Sequence, residues 1–388
     1  MDINIIAQSG AIVKVYAPKT TISQARKRAQ AKQRRSDRRA EHDKPLKLRW
    51  TEHKRKAIEV GQRMVDAGLT KRGFRVKMCG NEIVFRECAD CGHLVIERAQ
   101  LCRDRLCPIC NWRLALKRYS SMSQIMDVVQ SRLAEKYPDK PPMQALMTLT
   151  VRNCAPVDIA QTLSKMQRAW NRMLAQRYIR PEVIGWARSI EVTYNHITGE
   201  LHPHYHVIMI AVDMQSLAMI TRDWLDQCRK EGLTVSHKSQ KYTAIDGNRT
   251  EGDSMIRSIL ETYKYMVKSS DVMAMPLGVL RAFAEGVANK RLISYGGIIK
   301  QVARELQIAD LDKADDTDPE TRICTRCGSV ALDQLIATWS MHGNHYLAMS
   351  GIDTSAIAIK AERWGVVSPD TQEETVHTVY NDTDRHKN

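Results

Sequence analysis

The order in which hydrophobic periodicity changes between residues 140 and 305 restricts this chain more than any other feature. Residues 144–151 (QALMTLTV) are apolar and β-branched, the pattern of a buried strand. Ile159, Leu163, Met166, Trp170 and Met173 then recur at helical spacing behind Asp158, a residue type that caps helices. Residues 186–194 and 204–212 are strands joined by Asn-His-Ile-Thr-Gly-Glu, which is hairpin chemistry. Leu217, Ile220, Trp224 and Leu225 mark a second helix, residues 239–246 a weaker fourth strand, and residues 253–268 a further helix. The order βαββαβ plus a helix predicts an α+β fold: a ferredoxin-like antiparallel sheet with helices on one face.

The remaining chain divides by composition. Residues 1–49 form a basic arm expected to be disordered; residues 24–40 carry eight Lys or Arg against one Asp and no apolar stripe, which suits DNA phosphates. Residues 50–135 hold most of the cysteines and are expected to be a zinc-binding, DNA-docking module. An acidic linker, 306–322, separates the 140–305 domain from a small Cys/His unit at 323–365 and a polar, disordered tail at 366–388. A formal net charge of +15 over 388 residues calls for a polyanionic partner. Nucleic acid fits better than a membrane, because no apolar run approaches the roughly 18 residues needed to span one. The amino-terminal segment lacks the basic stretch and long apolar run of a secretory signal, so a cytoplasmic, bacterial location is expected. There, paired cysteines are metal ligands before they are disulfides.

Cys88-x2-Cys91 and Cys107-x2-Cys110 are fifteen residues apart, the spacing of a four-cysteine structural Zn²⁺ site. Cys102 is an extra thiol near enough to compete. Four thiolates leave no open position, so this zinc holds structure and does not catalyse. Cys324-x2-Cys327, followed by His342-x2-His345, is a weaker candidate for a second zinc.

On a strand, His204 and His206 project from one face, two metal ligands in fixed geometry. A third ligand is expected from the neighbouring strand. With Ile197–Glu200 as the hairpin loop, Glu191 lies opposite His206 and Thr193 opposite His204; a one-residue slip would turn Glu191 to the other face. Two histidines and a carboxylate suit Mg²⁺ or Mn²⁺, the imidazoles favouring Mn²⁺. His202 shares their parity, but Pro203 is expected to begin the strand and leave His202 at its mouth. In the helix at 253–268, Ile256, Leu260, Tyr263 and Val267 form a core stripe, while Glu261, Tyr265 and Lys268 fall on the opposite face. A phenol is scarcely ionised at neutral pH. Lys264 and Lys268 would favour the phenolate, the metal would polarise a phosphate, and Tyr265 would attack it; Glu261 would later activate water.

The segments LMTLTVRN (146–153), HPHYHV (202–207) and ETYKYMVK (261–268) resemble the three motifs of rolling-circle plasmid replication initiators. These belong to the HUH endonuclease superfamily, in the class whose Glu and Tyr lie four residues apart. CPICNWRLALK (107–117) is similar to that family's cysteine-rich segment, and the resemblance covers roughly 85–300. It implies a ferredoxin-like palm, His204 and His206 as metal ligands, and Tyr265 joined to a 5′ phosphate. It further implies a free 3′ hydroxyl that primes host polymerase, with Glu261 promoting hydrolysis at termination. The implied partners are plasmid origin DNA, supercoiled and single-stranded, with host helicase and polymerase, the protein acting as monomer or oligomer. An HUH-type transposase or relaxase is the nearest alternative. A non-catalytic, zinc-containing DNA-binding regulator is the alternative of another class, and it leaves the Glu261–Tyr265–Lys268 face unexplained.

Overall fold

The computed structural model describes residues 3–6, 12–15, 46–91, 94–245, 253–262, 266–308, 332–342 and 344–349, in two units divided at Arg49/Trp50. In the first unit β1 (Ile3–Ile6) pairs antiparallel with β2 (Ile12–Val15), Ile3 opposite Val15, where disorder was expected. The basic stretch 24–40 lies outside the described residues.

Helix α1 (Leu46–Asp66), most of it in the second unit, is followed by α2 (Thr70–Met78). They cross so closely that a Cβ on Gly73 would stand 2.5 Å from the carbonyl oxygen of Gly61. Two glycines are what that approach requires, and it fixes where the chain emerges at Cys79. Next come β3 (Glu82–Cys88) and β4 (Leu94–Ala99), then α3 (Pro108–Lys136), with proline at its first position where no backbone N–H is needed. The carboxy-terminal strands β10 (Leu332–Ser340) and β11 (His345–Met349) complete this sheet in the order β11-β10-β3-β4, with Leu332 opposite Cys88 and Thr338 opposite Glu82. Strands β10 and β11 are therefore part of this sheet, where a separate Cys/His unit was expected. The linker and the tail lie outside the described residues.

The larger sheet holds β5 (Met143–Thr150), β6 (Val183–Asn195), β7 (Glu200–Ala211), β8 (Lys241–Ala244) and β9 (Ile293–Gly296), in the order β8-β5-β7-β6-β9 with every named pair antiparallel. With α4 (Ile159–Ala175) after β5 and α5 (Met214–Lys230) after β7, the first four strands have the ferredoxin-like connection, and β9 extends it beyond β6. One face buries Tyr205, Val207 and Met209; Trp170 of α4 and Trp224 of α5 meet the Tyr205 ring edge-on and tilted, at centroid distances of 6.1 and 5.7 Å. On the opposite face α6 (Asp253–Thr262) touches β7 and α3. Short helices α7 (Ser269–Ala274) and α8 (Leu277–Gly286) lead to β9, and α9 (Gly297–Glu305) packs on β6. Among the described residues no helix is long and apolar enough to cross a membrane.

Asp158 does not cap α4. It ends a 3-10 turn with φ −90° and ψ −4°, already helical, and its carboxylate receives no capping bond. Asp213, in extended backbone before α5, does cap, accepting from the Ser216 N–H at 2.9 Å. Asp213→Ala is expected to lower the melting temperature by a few degrees and Asp158→Ala to leave it unchanged, as thermal unfolding will report.

Candidate functional site

The β6–β7 hairpin pairs Glu191 with His204, Thr193 with His202 and Ser189 with His206. The expected register, Glu191 opposite His206, is displaced by two residues, because the loop is His196–Gly199 with Gly199 in the left-handed region at φ 70°. A shift of two keeps side-chain parity, so Glu191 still joins the histidine face.

Glu191, His204 and His206 are all buried and their donor atoms converge within 4.8 Å. Glu191 Oε2 lies 2.7 Å from His206 Nε2 and 3.4 Å from His204 Nε2. Ligands at about 2.1 Å from an octahedral ion are about 3 Å apart when adjacent, so the donor set fits a small divalent cation. The tautomers also fit. His204 Nδ1 lies 3.3 Å from the His202 carbonyl and His206 Nδ1 lies 3.5 Å from Thr148 Oγ1, acceptors that would leave each Nε2 lone pair for a metal. Burial pushes the Glu191 carboxyl up, but hydrogen bonds and charge from the two histidines more than reverse this and hold it well below the usual carboxylate range. Three donors leave positions for substrate oxygens.

His202 is not at the mouth of the strand but inside β7, and it stands apart from the triad. Its Nδ1 meets Asn153 Oδ1 at 2.7 Å and its Nε2 meets Thr150 Oγ1 at 3.0 Å. Burial, then the charge of His204, lowers its pKa. It lines a cleft of about 420 Å³ with Arg152 and Asn153 beside the triad.

The tyrosine segment departs from expectation. The helix is described over Asp253–Thr262 and residues 266–268 are not helical, so helical phase does not carry through to Lys268. Among its described side chains Ser258, Ile259 and Thr262 are buried and Glu261 is half-buried; Met266 and Val267 are buried and Lys268 is exposed, while Ile256 and Leu260 lie outside the described side chains. Tyr263, Lys264 and Tyr265 lie outside the described residues. Both described flanks are tied to β6: Ser189 Oγ donates to the Thr262 carbonyl, and the Val192 N–H donates to the Met266 carbonyl at 2.8 Å. These anchors stand on either side of Glu191.

The cysteine cluster is also corrected. Cys79, Cys102, Cys107 and Cys110 converge, whereas Cys88 and Cys91 fall outside the group. Cys79 Sγ and Cys102 Sγ lie 3.6 and 3.7 Å from Cys110 Sγ, close to the roughly 3.8 Å edge of a tetrahedron with Zn–S near 2.3 Å. Backbone N–H groups of Cys102, Arg103 and Asp104 point at the sulfurs, with Arg103 at φ 58° closing the knuckle. Hydrogen bonds from Cys102, Cys107 and Cys79 hold the Cys110 thiol far below its ordinary pKa, and burial pushes Cys107 up. Sequence reasoning missed Cys79, which arrives through the α1–α2 crossing, and undervalued Cys102, whose Cys-x4-Cys-x2-Cys spacing was the available signal. It also missed Lys54, fully buried, whose ammonium donates to the carbonyls of Lys77 (2.6 Å) and Cys79 (2.9 Å). Burial lowers its pKa to about 8 against the opposing pull of the cysteines.

Fold and site define an antiparallel α+β protein with a three-donor candidate cation site on its sheet and a four-thiol cluster at the head of α3. A family model described as "Replication protein" matches residues 93–347, and the chain belongs to that family. It is 29% identical over 289 residues to "Protein rep" of Lactiplantibacillus plantarum, covering 71% of this chain and 88% of that one. It is 28% identical over 246 residues to "Protein rep" of Streptococcus pneumoniae serotype 2 (62% and 74%), and 27% identical over 231 residues to a "Replication protein" of Staphylococcus aureus (56% and 95%). No solved structure matches. The resemblance to plasmid rolling-circle initiators thus holds at the level of the family.

Proposed function

We propose that this replication protein starts rolling-circle copying of a plasmid by nicking one strand at its origin. The observation that carries the reading is the convergence of Glu191, His204 and His206 on one sheet face. These three would hold Mg²⁺ or Mn²⁺, which supplies polarisation of the scissile phosphate and absorbs developing charge. Tyr265 is the nucleophile: its phenolic oxygen forms a bond to phosphorus, the bond to the 3′ oxygen breaks, and that oxygen takes a proton. The product is a 5′-phosphotyrosine and a free 3′ hydroxyl, the primer for host polymerase on a strand that host helicase unwinds. Glu261, half-buried in the last turn of α6, serves the later hydrolysis, and Lys268 supplies positive charge. Support for the tyrosine comes from the motif ETYKYMVK and from the two anchors of its flanks on β6 around Glu191. A transposase or relaxase would share this chemistry; the family assignment favours replication.

The test is peptide mapping of the covalent adduct formed on origin DNA. Tyr265→Phe keeps the ring and is expected to bind DNA while losing nicking by at least about a thousandfold, the scale at which removal of a covalent nucleophile is felt. An adduct on Tyr263, with full activity in Tyr265→Phe, would reassign the nucleophile.

Zn²⁺ in the Cys79–Cys110 cluster is proposed as structural. Cys88-x2-Cys91-Gly and Cys324-x2-Cys327-Gly remain as two further pairs of zinc-knuckle spacing. Cys324 and Cys327 lie outside the described residues, but Leu332, five residues after Cys327, pairs with Cys88. His342 and His345 stand at the other end of β10, about 27 Å of extended strand away. Five residues reach at most about 18 Å, so those histidines are poor partners for Cys327. A second zinc held by Cys88, Cys91, Cys324 and Cys327 is the reading that this supports.

A further inference from the structure

A cleft of about 700 Å³ lies between α4, β6, β9 and α9. It opens on the face of the larger sheet away from the cation triad: Arg188 and Ile190 of β6 line it, and they alternate with Ser189 and Glu191 of the triad face. Cations reach it from four segments, Arg168, Arg188, Lys290, Arg291, Lys300 and Arg304, and no carboxylate lines it. Arg168 is already held by Glu231 at 2.7 Å, Lys290 donates to Ser164 Oγ at 2.5 Å, and Arg291 donates to the Ile293 carbonyl at 3.0 Å. Lys300 and Arg304 have no partner among the described residues, and they lie four apart on α9, where like charges repel.

The floor of the cleft carries the second observation. Arg188 is 1% exposed, its guanidinium carbon 4.3 Å from the centroid of the Tyr205 ring and 5.3 Å from that of Trp170. Its Nη2 donates to Gln167, but Nε and Nη1 are buried without an acceptor among the described residues. The buried guanidinium fixes a positive charge at the base of a cleft without carboxylates, which favours an anion. Trp186 and Tyr295 line the same cleft, each half-exposed. Cations beside half-exposed aromatic rings form a groove for unpaired bases and their phosphates, because a duplex keeps its base faces stacked inside.

We propose that this cleft binds single-stranded DNA, holding a strand on the side of the sheet away from the cation triad. It rests on DNA as the partner of the replication reading and not on the nicking chemistry. The test is fluorescence anisotropy with a labelled oligothymidylate and with a mixed-sequence duplex of equal length, with Mg²⁺ and Mn²⁺ omitted, so that cleavage is silent. Lys300→Gln combined with Arg304→Gln changes two exposed side chains and should leave the melting temperature unaltered. Affinity for the single strand should fall about tenfold. The slope of log K against log salt should become shallower by about 1.4, two phosphate contacts at about 0.7 each, with the duplex changed less than threefold. Unchanged single-strand binding, or equal losses on both DNAs, would overturn the proposal. An absence of nicking by the unaltered protein would sink the nicking reading and leave this binding result standing.

Discussion

Glu191→Ala is expected to abolish metal-dependent nicking while leaving DNA binding without Mg²⁺ or Mn²⁺ intact. The expectation follows from ligand count. Replacing groups that merely orient metal ligands costs about 10- to 100-fold in metal affinity or activity, and Glu191 is placed to be a ligand itself, so a larger loss is expected. His204→Ala with His206→Ala should do the same. Raising Mn²⁺ should partly restore Glu191→Ala, where two imidazoles remain, and not the double histidine variant. Undiminished nicking by either would remove the triad from the mechanism.

Glu191 offers a second readout without metal. Its folded-state carboxyl lies below the ordinary value of 4.5. A depressed carboxylate contributes stability above its unfolded pKa and loses it as pH falls through the folded one. Protein without Mg²⁺ or Mn²⁺ should therefore weaken on acidification from the ordinary carboxylate range downward. Glu191→Gln should lack that limb, and acid titration of the unfolding free energy will show whether it does.

The parts of the molecule that were legible in the sequence are those written in local periodicity. The alternation around the hairpin and the apolar stripes of α4 and α5 gave βαββαβ, and strand connectivity did the rest. The face of Glu191 survived a register two residues wrong because parity, not partner, decides which side a strand residue occupies. What failed depended on distant chain. The four-thiol cluster recruits Cys79 through a helix crossing, and two neighbouring glycines only acquire that meaning once the helices meet. Residues 266–268 read as helix but are not helical, and the Met266 carbonyl instead accepts from the Val192 N–H at the open edge of β6. A tertiary bond there outweighs a helix propensity worth tenths of a kcal/mol per residue. The pairing of β10 with β3 and the basic cleft, whose cations come from four segments, leave no local trace at all.

The sharpest test of the corrected ligand set is Cys102→Ala against Cys91→Ala. If Cys79, Cys102, Cys107 and Cys110 hold one zinc and the remaining two pairs another, protein purified without chelator carries two zinc ions. Each substitution then removes one, but with unequal consequences. The first cluster sits beneath α1 and at the start of α3, with Cys79, Cys107 and Cys110 buried and Lys54 donating to the Cys79 carbonyl. Zinc binding to such a cluster is folding free energy, since the thiolates are not assembled in the unfolded chain. Losing Cys102 leaves three buried thiols and Lys54 without its compensating charge, so Cys102→Ala should cost several kcal/mol and expose Trp50 and Trp112, packed edge to face at 5.2 Å above the cluster's helices. Cys91 is half-exposed in the β3–β4 turn, and its loss should fray that end of the smaller sheet while the tryptophan signal holds. Zinc content with tryptophan emission on both variants separates the two sites. Retention of both zinc ions by Cys102→Ala would return Cys88 and Cys91 to the first cluster and undo the correction.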